Sequence, residues 1–404
     1  MSAPSRTLAV GPVTLERSGS RCRVAADVGG VPTWFESDDV ELAPAAEAFG
    51  SAFLIPALHH RARLRLADPV DPAWREHAGT LVALLRSWWR YPEWTPEAPH
   101  PGAAFRDAPA ARAAAVRDDA RSAPPEENAR SATTDGTALF FSGGVDSFHV
   151  LLRGGIRVDH LVALHGFDFP LDDLARAAAV ERSLRAVAAG AGTRAAMVRT
   201  NVREHPRVRE APWPRVHGGI LGGVAHLLAP VASRVLIAAS APGDREIPWG
   251  QHWQVDPLWS SSRTRVEHVG RGLRRLDKLR AIAAEPLVRD HLRVCWANRA
   301  PVGNCSRCAK CVLSMLILEE CGELATSRVF EGRERLAERI AAVRKTPDRI
   351  HTFAEVGGSA RLDPAVAAEV RALIRRSRRL KRPDIRLRRA IVRWVVERTK
   401  RSAG

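Results

Sequence analysis

The chain is organised around one short stretch in which a run of apolar residues meets a glycine-bearing turn. Residues 138–141 read Ala-Leu-Phe-Phe and predict a buried strand, and residues 142–147 read Ser-Gly-Gly-Val-Asp-Ser. The residues from Phe148 onward can open a helix. Adjacent glycines let backbone N–H groups point at an anion without Cβ clashes, and a following helix adds the positive end of its dipole. The stretch therefore predicts a phosphate-binding loop.

The side chains of this loop distinguish it from a Walker loop. A Walker loop needs Gly-x-x-x-x-Gly-Lys-Ser/Thr, and the sequence contains no such run. The loop offers instead the hydroxyls of Ser142 and Ser147 and the carboxylate of Asp146, which suits a phosphate-bound Mg²⁺. An ordinary strand-to-helix turn is the alternative, since a motif counts only in its strand, loop and helix setting.

In these residues the chain resembles the PP-loop ATP pyrophosphatases, whose Ser-Gly-Gly-x-Asp-Ser signature it carries in full. The resemblance implies that ATP is cleaved between its α- and β-phosphates, which leaves an adenylylated substrate and pyrophosphate. It implies that Asp146 is catalytic and assists Mg²⁺. The nucleotide-binding residues that it implies are Ser142, Gly143, Gly144, Val145, Asp146 and Ser147.

From residue 137 onward the pattern alternates between strands and helices. Strands are predicted at residues 138–141, 159–165, 195–199 and 234–239, and helices between them at 146–154, 172–189 and 216–229. Such a series predicts an α/β fold, an open parallel sheet with helices on both faces. The resemblance narrows this expectation to the adenine nucleotide alpha-hydrolase-like fold.

Composition divides the rest of the chain around this core. Residues 1–91 predict a small α+β unit with alternating strands and a helix that begins at Asp71 and Pro72. Residues 92–136 carry seven prolines and predict a linker, with a helix inside it as the alternative. The core runs from 137 to 325, and residues 326–404 predict a helical extension that ends in a basic tail.

Ligands of open parallel sheets bind outside the carboxyl ends of the strands. That rule selects the loops at residues 142–147, 165–171, 200–215 and 240–264. In the second loop we predict His165 as a nucleotide-binding residue, because the resemblance assigns backbone in this region to adenine, and Asp168 as a substrate-binding residue. A loop histidine bonded to backbone is an equal alternative for His165.

The fourth loop is rich in tryptophan and charge. Trp249, Trp253 and Trp259 fall within eleven residues of a loop that also contains Gly and Pro. This density favours a stacking surface for a flat substrate, while a lid that packs on itself is the alternative. The substrate-binding residues predicted here are Asp244, Trp249 and His252.

Lys278 is the predicted source of positive charge for the leaving group. The glycine loop has no lysine to neutralise departing pyrophosphate, so a cation must come from elsewhere. Only five of the 62 basic residues are lysines, and Lys278 lies in a predicted helix. Members of the resembling family carry a helical lysine shortly before a cysteine cluster, which supports a catalytic role. The alternative is one more charge on a solvated helix face.

Four of the six cysteines form a cluster with the spacing C-x₉-C-x₂-C-x₂-C: Cys295, Cys305, Cys308 and Cys311. Two-residue gaps let successive thiolates turn onto one ion, and the fourth closes a tetrahedron, so the pattern predicts structural Zn²⁺. An iron–sulfur cluster and four free thiols are the alternatives. Cys321 follows at a predicted helix end and is interpreted as a small buried hydrophobe.

A PP-loop followed downstream by this cysteine pattern is similar to the 7-cyano-7-deazaguanine synthases of queuosine biosynthesis. That resemblance implies adenylylation of a carboxylate on 7-carboxy-7-deazaguanine and displacement of AMP by ammonia. The chain departs from the pattern in its longer first cysteine gap, in Ser306 where glycine is usual and in Phe148 where a small hydroxyl residue is common. These departures leave the substrate open more than the ATP chemistry.

The formal charge of +17 lies mostly in the tail, where residues 371–401 hold 14 basic and two acidic residues. Such a segment could bind a nucleic acid, an anionic membrane surface or an acidic protein. The alternative is a solvated helix that packs on the domain by one face. A homo-oligomer is also open. No apolar run approaches the ~18 residues that span a bilayer and no signal-peptide pattern begins the chain, so we expect a cytoplasmic protein without an integral membrane segment.

Together these features predict an ATP-dependent ligase. It would adenylylate a carboxylate or amide oxygen of a small planar, deazaguanine-like substrate, and ammonia or an amine would displace AMP. The predicted cofactors are ATP, Mg²⁺ and structural Zn²⁺. The alternatives are a tRNA-thiolating PP-loop enzyme, for which only Cys22 and Cys321 lie outside the cluster, and a catalytically silent nucleotide-binding protein.

Overall fold

The strands of the chain form one continuous sheet. A computed structural model describes residues 6–99, 136–240, 247–298, 300, 302–344 and 349–379. The strands in these ranges are β1 (Arg6–Val10), β2 (Thr14–Ser18), β3 (Arg21–Val28), β4 (Val31–Ser37), β5 (Ala62–Leu66), β6 (Thr137–Phe140), β7 (His160–His165), β8 (Arg194–Thr200), β9 (Arg234–Ala238) and β10 (Arg265–Val269).

The helices of the described ranges lie between the strands from β4 to β9 and continue after β10. They are α1 (Ala46–His59), α2 (Pro72–Trp89), α3 (Val145–Arg153), α4 (Leu174–Gly190), α5 (Pro206–Arg209), α6 (Trp213–Leu227), α7 (Arg275–Ile282), α8 (Pro286–His291), α9 (Ala309–Glu320), α10 (Leu336–Ala342), α11 (Ile350–Gly357) and α12 (Pro364–Arg379). Across the described ranges, none combines the length and the apolar character that crossing a membrane requires.

Contacts divide the chain into two compact units. The first comprises residues 1–142 and 149–274, and the second comprises residues 143–148 and 275–404. The glycine loop thus changes unit between Ser142 and Gly143. The domain boundaries drawn from the sequence at residues 91, 136 and 325 stay predictions.

The first unit contains the whole sheet, in the order β10-β9-β6-β7-β8-β4-β3-β1-β5, and β2 pairs with β3 beside this path. The five strands from β10 to β8 run parallel to their neighbours. In the centre, Leu139 of β6 lies opposite Leu161 of β7 and Leu236 of β9. The predicted α/β class and the mostly parallel sheet flanked by helices are therefore confirmed.

The order of these parallel strands creates a switch point at β6. The chain runs from β6 to β7 and β8 on one side and then returns to β9 and β10 on the other side. In such sheets ligands bind outside the carboxyl ends of the strands, where the order reverses. Phe141, which precedes the glycine loop, and Ser142, its first residue, leave the sheet at this point. β10 was not predicted, because its five residues include two charges and a histidine.

The N-terminal strands extend this sheet. β4 pairs antiparallel with β8, with Phe35 opposite Thr200. Glu36 is buried between the strands. Its Oε2 forms an ion pair with Arg23 Nη2 of β3 at 2.6 Å, and its Oε1 forms one with Arg199 Nε of β8 at 2.8 Å. A buried carboxylate needs such partners, so these pairs fix the join between the two halves of the sheet.

Close helix packing connects the N-terminal residues with the core of the first unit. α1 is buried along nearly its whole length and packs on α6. A Cβ added to Gly219 or Gly223 of α6 would lie 2.4 Å from a carbonyl oxygen of α1. Only glycine allows this approach, which explains the glycine-rich sequence of α6. The predicted α2 is confirmed, with Asp71 accepting at its N-cap from the N–H groups of Ala73 and Trp74.

In the second unit, helices α7, α10 and α11 pack around α9. α9 is buried from Cys311 to Leu318 and contacts α7, α10 and α11. α10, α11 and α12 agree with the predicted helical extension, while residues 380–404 of the predicted basic tail lie outside the described residues.

We expect Gly222→Ala on α6 to lower the free energy of unfolding by about 1–3 kcal/mol through overpacking. A Cβ there would lie 2.5 Å from Cγ of the buried Trp259. Urea denaturation followed by circular dichroism measures the change.

Gly79→Ala on α2 is the matched control, because the nearest atom to its new Cβ is a methyl of Thr95 at 3.8 Å. It should raise the free energy of unfolding by about 0.5–1 kcal/mol through helix propensity. Equal destabilisation by both variants would contradict the packing account.

Candidate functional site

The glycine loop has the local geometry of an anion cradle. Gly143 has a φ of 72°, a conformation that favours glycine. α3 begins at Val145, and the carbonyl of Gly144 accepts from the Phe148 N–H at 3.0 Å and from Ser147 Oγ at 3.1 Å. The N–H groups at the start of α3 carry the positive end of its dipole, so this end of the helix favours a negatively charged ligand.

Two cations from α7 converge on the carboxylate of this loop. Arg275 donates to Asp146 Oδ2 from Nη2 at 2.5 Å and from Nε at 3.1 Å, and Lys278 Nζ lies 3.3 Å from Asp146 Oδ1. The Lys278 side chain is 1% exposed and that of Asp146 is 14% exposed. The two residues predicted to be catalytic, Asp146 and Lys278, are thus in direct contact.

The charged groups of this cluster shift one another's pKa values. Burial by itself raises the pKa of Asp146, but Arg275 and Lys278 outweigh it and hold the pKa below its usual value. Burial lowers the pKa of Lys278, and the neighbouring carboxylate offsets part of that shift. One carboxylate with two cations leaves a surplus of positive charge, which suits a phosphate or a metal–phosphate complex.

Arg275 was missed by the sequence analysis. It lies three residues before Lys278, in the segment already predicted as a helix, but 57 of the 62 basic residues are arginines and none stands out by type. Its position one helical turn from Lys278 was the available signal, since residues i and i+3 share a helix face.

The glycine loop is also held by the segment that leads to the cysteines. The Arg293 N–H donates to the Gly143 carbonyl at 2.7 Å, and a Cβ on Gly143 would lie 3.4 Å from Arg293 Cβ. Cys295 follows two residues later. The cysteine cluster and the loop are therefore joined by a backbone contact and a short piece of chain.

The four cysteines predicted as metal ligands lie together. The sulfur atoms of Cys295, Cys305, Cys308 and Cys311 are all within 4.8 Å of one another, and Cys311 Sγ is 3.9 Å from Cys305 Sγ and 3.5 Å from Cys308 Sγ. A tetrahedron with zinc–sulfur bonds of ~2.3 Å has edges of ~3.8 Å. The cluster can therefore hold a metal such as zinc, and four protein ligands leave no open position for a water molecule.

Electrostatics of the thiols agree with that fit. The hydrogen bond shared with Cys311 lowers the pKa of Cys308 to about 5, and the same bond and burial raise the pKa of Cys311. Backbone N–H groups also donate to the sulfur atoms: that of Cys308 to Cys305 Sγ at 3.3 Å, and that of Cys311 to Cys308 Sγ at 3.5 Å. Such convergence of thiols favours thiolates only when a cation compensates them.

A buried asparagine organises the base of the cysteine loop. Asn304 Oδ1 accepts from the N–H groups of Val294 at 2.8 Å and Cys295 at 3.1 Å, and its Nδ2 donates to the Leu292 carbonyl at 2.7 Å. Ser306, which stands where glycine is usual in the resembling family, has a φ of 52° and accepts from the Glu331 N–H at 2.9 Å. This bond helps a non-glycine residue to hold that conformation.

The predicted ligand residues of the first unit lie beyond β7 and β9. His165 is buried and stacks on Phe169 with ring centroids 5.2 Å apart, and burial lowers its pKa despite hydrogen bonds to the backbone of Pro170 and Leu171. Those bonds support the structural interpretation of His165. Asp168 is exposed in the turn that follows, and Asp244 lies outside the described residues.

The tryptophan loop divides into core and surface. Trp259 is fully buried against Gly222 of α6, so its assignment to a stacking surface is wrong, because the glycine-rich helix makes room for the ring. Trp249 is half-buried, with its ring 6.0 Å from that of His217. His252 is buried, packs edge-on against Trp88 at 4.8 Å and accepts from the Gln254 N–H at 3.2 Å.

Sequence reasoning missed an aromatic cluster at the start of α6. Trp213 packs against Phe167 with centroids 5.0 Å apart, and the Arg203 guanidinium lies 4.3 Å over the Trp213 ring. His217, one turn along α6, contacts Trp249. Loop 200–215 had appeared merely polar, and only the fold brings these rings together.

Removal of the metal should loosen the glycine loop. We expect the purified protein to contain about one zinc per chain, and Cys308→Ser to lose it. Because Arg293 precedes Cys295 closely, its amide proton should then exchange faster in hydrogen-exchange mass spectrometry.

Cys321→Ser is the control, since Cys321 lies outside the cluster, and it should keep both the metal and the protection of the Arg293 amide. Unchanged exchange in a metal-free Cys308→Ser protein would contradict the coupling of the two sites. Absorbance of the purified protein in the visible range would indicate that the four cysteines hold an iron–sulfur cluster and not zinc.

No protein-family model, curated protein or solved structure matches the chain. What the site can do is therefore inferred from its residues and contacts and from the resemblance of its motifs.

Proposed function

We propose that this protein is an ATP-dependent ligase of the PP-loop ATP pyrophosphatase type. The observation that carries the proposal is the contact of Asp146 with Arg275 and Lys278 at the glycine loop. A loop that binds nucleotide phosphates needs backbone donors, a carboxylate for Mg²⁺ and cations for the leaving group. All three kinds of group occur in this one cluster.

Each group has a role in the proposed reaction. The backbone around Gly143 and Gly144, with Ser142 and Ser147, would bind the β- and γ-phosphates of ATP. Asp146 would hold Mg²⁺, which supplies further positive charge between the phosphates when it is bound. An oxygen of the acceptor would attack the α-phosphorus, and pyrophosphate would leave with its negative charge toward Lys278 and Arg275.

Burial makes Lys278 suited to this role. Its ammonium group is almost inaccessible to water, and a charge acts more strongly where the surrounding dielectric is low. Asp146 holds Lys278 beside the loop, so the cation needs no rearrangement as charge develops on the leaving group. Arg275 adds a planar guanidinium, which can bind two phosphate oxygens at once.

The acceptor class rests on the resemblance together with the cysteine geometry. A PP-loop combined with a C-x₉-C-x₂-C-x₂-C metal site is similar to the 7-cyano-7-deazaguanine synthases, and the adenine nucleotide alpha-hydrolase-like fold is proposed on the same ground. We infer a planar, deazaguanine-like carboxylate or amide as acceptor, with ammonia or an amine displacing AMP. Asp168, Asp244, Trp249 and His252 stay predicted substrate residues, and a cytoplasmic location stays an expectation.

The cysteines argue against the thiolation alternative. A persulfide relay needs an accessible thiol of low pKa. Cys22 is buried and hydrogen-bonded to the backbone of Leu42, and burial raises the pKa of Cys321. The remaining cysteines belong to the four-thiol cluster.

The nucleotide products test the proposal directly. With acceptor and amine supplied, ATP should yield AMP and pyrophosphate, because attack occurs at the α-phosphorus. Chromatographic separation of the nucleotides and an enzymatic pyrophosphate assay detect the two products. If ADP and phosphate form instead, the PP-loop assignment is wrong.

Lys278→Met should lower the rate of AMP formation about 100-fold, as expected for the loss of one preorganised charge at a transition state. Arg280→Met is the matched control, because Arg280 lies on the same helix but pairs with Glu320 at 2.8 Å and not with Asp146. It should keep most of the activity. Equal loss in both variants would indicate damage to α7 rather than to the reaction.

A further inference from the structure

The loop between Cys295 and Cys305 presents two large apolar side chains to solvent. Trp296 is 70% exposed and Val302 is 44% exposed. Three other large hydrophobic residues of the described chain are exposed, and they lie scattered in other segments. Scattered exposed hydrophobic residues are common, but here two of the five that the described chain exposes fall in one short loop beside the four-thiol cluster.

The base of this loop is held in place. Asn304 bonds to the backbone at Leu292, Val294 and Cys295, and the cysteine sulfurs at both ends of the loop lie within one cluster. Trp296 follows directly after Cys295, so its backbone is anchored on one side. An anchored backbone reduces the conformational entropy that the loop loses when it binds a partner.

The charged residues within this stretch of the chain are all basic. Residues 293–311 contain three arginines and one lysine and no acidic residue. Among the described members, Arg307 is exposed. Apolar ring and positive charge together fit a ligand that is flat and anionic, because the ring offers a stacking face and the arginine binds phosphate oxygens.

We propose that the cysteine-loop surface, defined as the exposed side chains of Trp296, Val302 and Arg307, binds single-stranded nucleic acid. An unpaired base would stack on the indole of Trp296, and the adjoining phosphate would contact Arg307. This is a binding function separate from the proposed adenylylation, and it depends on neither ATP nor the glycine loop.

Charge favours a nucleic acid on this surface over the protein's own basic tail or a second copy of the chain. Residues 380–404 hold nine basic and two acidic residues, so the tail would bring more positive charge to a stretch whose own charged residues are all basic. A second copy of the chain would bring together two identical basic loops. A polyanion complements the surface, and its bases supply the flat faces that an acidic polypeptide lacks.

The test compares oligonucleotides with and without bases. Fluorescence anisotropy would measure binding of the full-length protein to a labelled oligothymidylate of about twelve nucleotides, within the usual site sizes, and to an abasic oligomer of the same length. Trp296→Ala should weaken binding to oligothymidylate about tenfold, as expected for the loss of one stacked base. It should leave binding to the abasic oligomer unchanged, and Trp296→Phe should restore most of the affinity.

Two further variants separate stacking from charge. Leu174→Ala removes an apolar side chain that is also 70% exposed, on α4, and should change neither affinity. Arg307→Ala should weaken binding to both oligomers and reduce the slope of log affinity against log salt by about 0.7. Since the basic tail is identical in all variants, it cannot produce a difference between them.

The proposal is overturned if Trp296→Ala binds oligothymidylate as tightly as the unaltered protein does, or if it loses equal affinity for both oligomers. Tighter binding of polyglutamate than of oligothymidylate, with the same dependence on Trp296, would assign the surface to an acidic protein. A change in the sedimentation of Trp296→Ala without nucleic acid would assign it to a second copy. Either result overturns the nucleic-acid assignment.

Discussion

The carboxylate of Asp146 is the group on which the arrangement of the site depends. It is largely withdrawn from water, and it remains ionised because Arg275 and Lys278 accompany it. An unpaired charge at such a place costs several kcal/mol, so loop and helix α7 stabilise each other's position. The same pairing keeps two cations beside a glycine turn, where a phosphate ligand would need them.

The cysteine segment is the second support of the loop. A backbone bond from Arg293 to Gly143 ties the loop to the chain just before Cys295, and Asn304 and the four thiols fix that chain in turn. A closed metal site of this kind has no open position for substrate. The cluster is joined on one side to the segment that bonds the glycine loop and is followed on the other by an exposed tryptophan.

Prediction succeeded where a local pattern determines a local structure. Apolar runs gave the four central strands, and the order of strands and helices gave a parallel sheet, because β-α-β units have few other solutions. The extension of that sheet by β4 was not predictable, since it depends on the pairing of Glu36 with Arg23 and Arg199 across distant segments. Trp259 likewise appeared to be a surface residue until the glycines of α6 made room for it.

The sequence by itself determined the chemistry that is available: a Ser-Gly-Gly-Val-Asp-Ser loop, a scarce lysine and four cysteines at metal-binding spacing. These signals can be recognised in the sequence because backbone geometry and the number of metal ligands constrain residue type and spacing directly. Only the tertiary structure decided which groups meet. It selected Arg275 from 57 arginines, placed Lys278 on Asp146 and separated buried Trp259 from exposed Trp296, because burial and charge pairing depend on residues far apart in the chain.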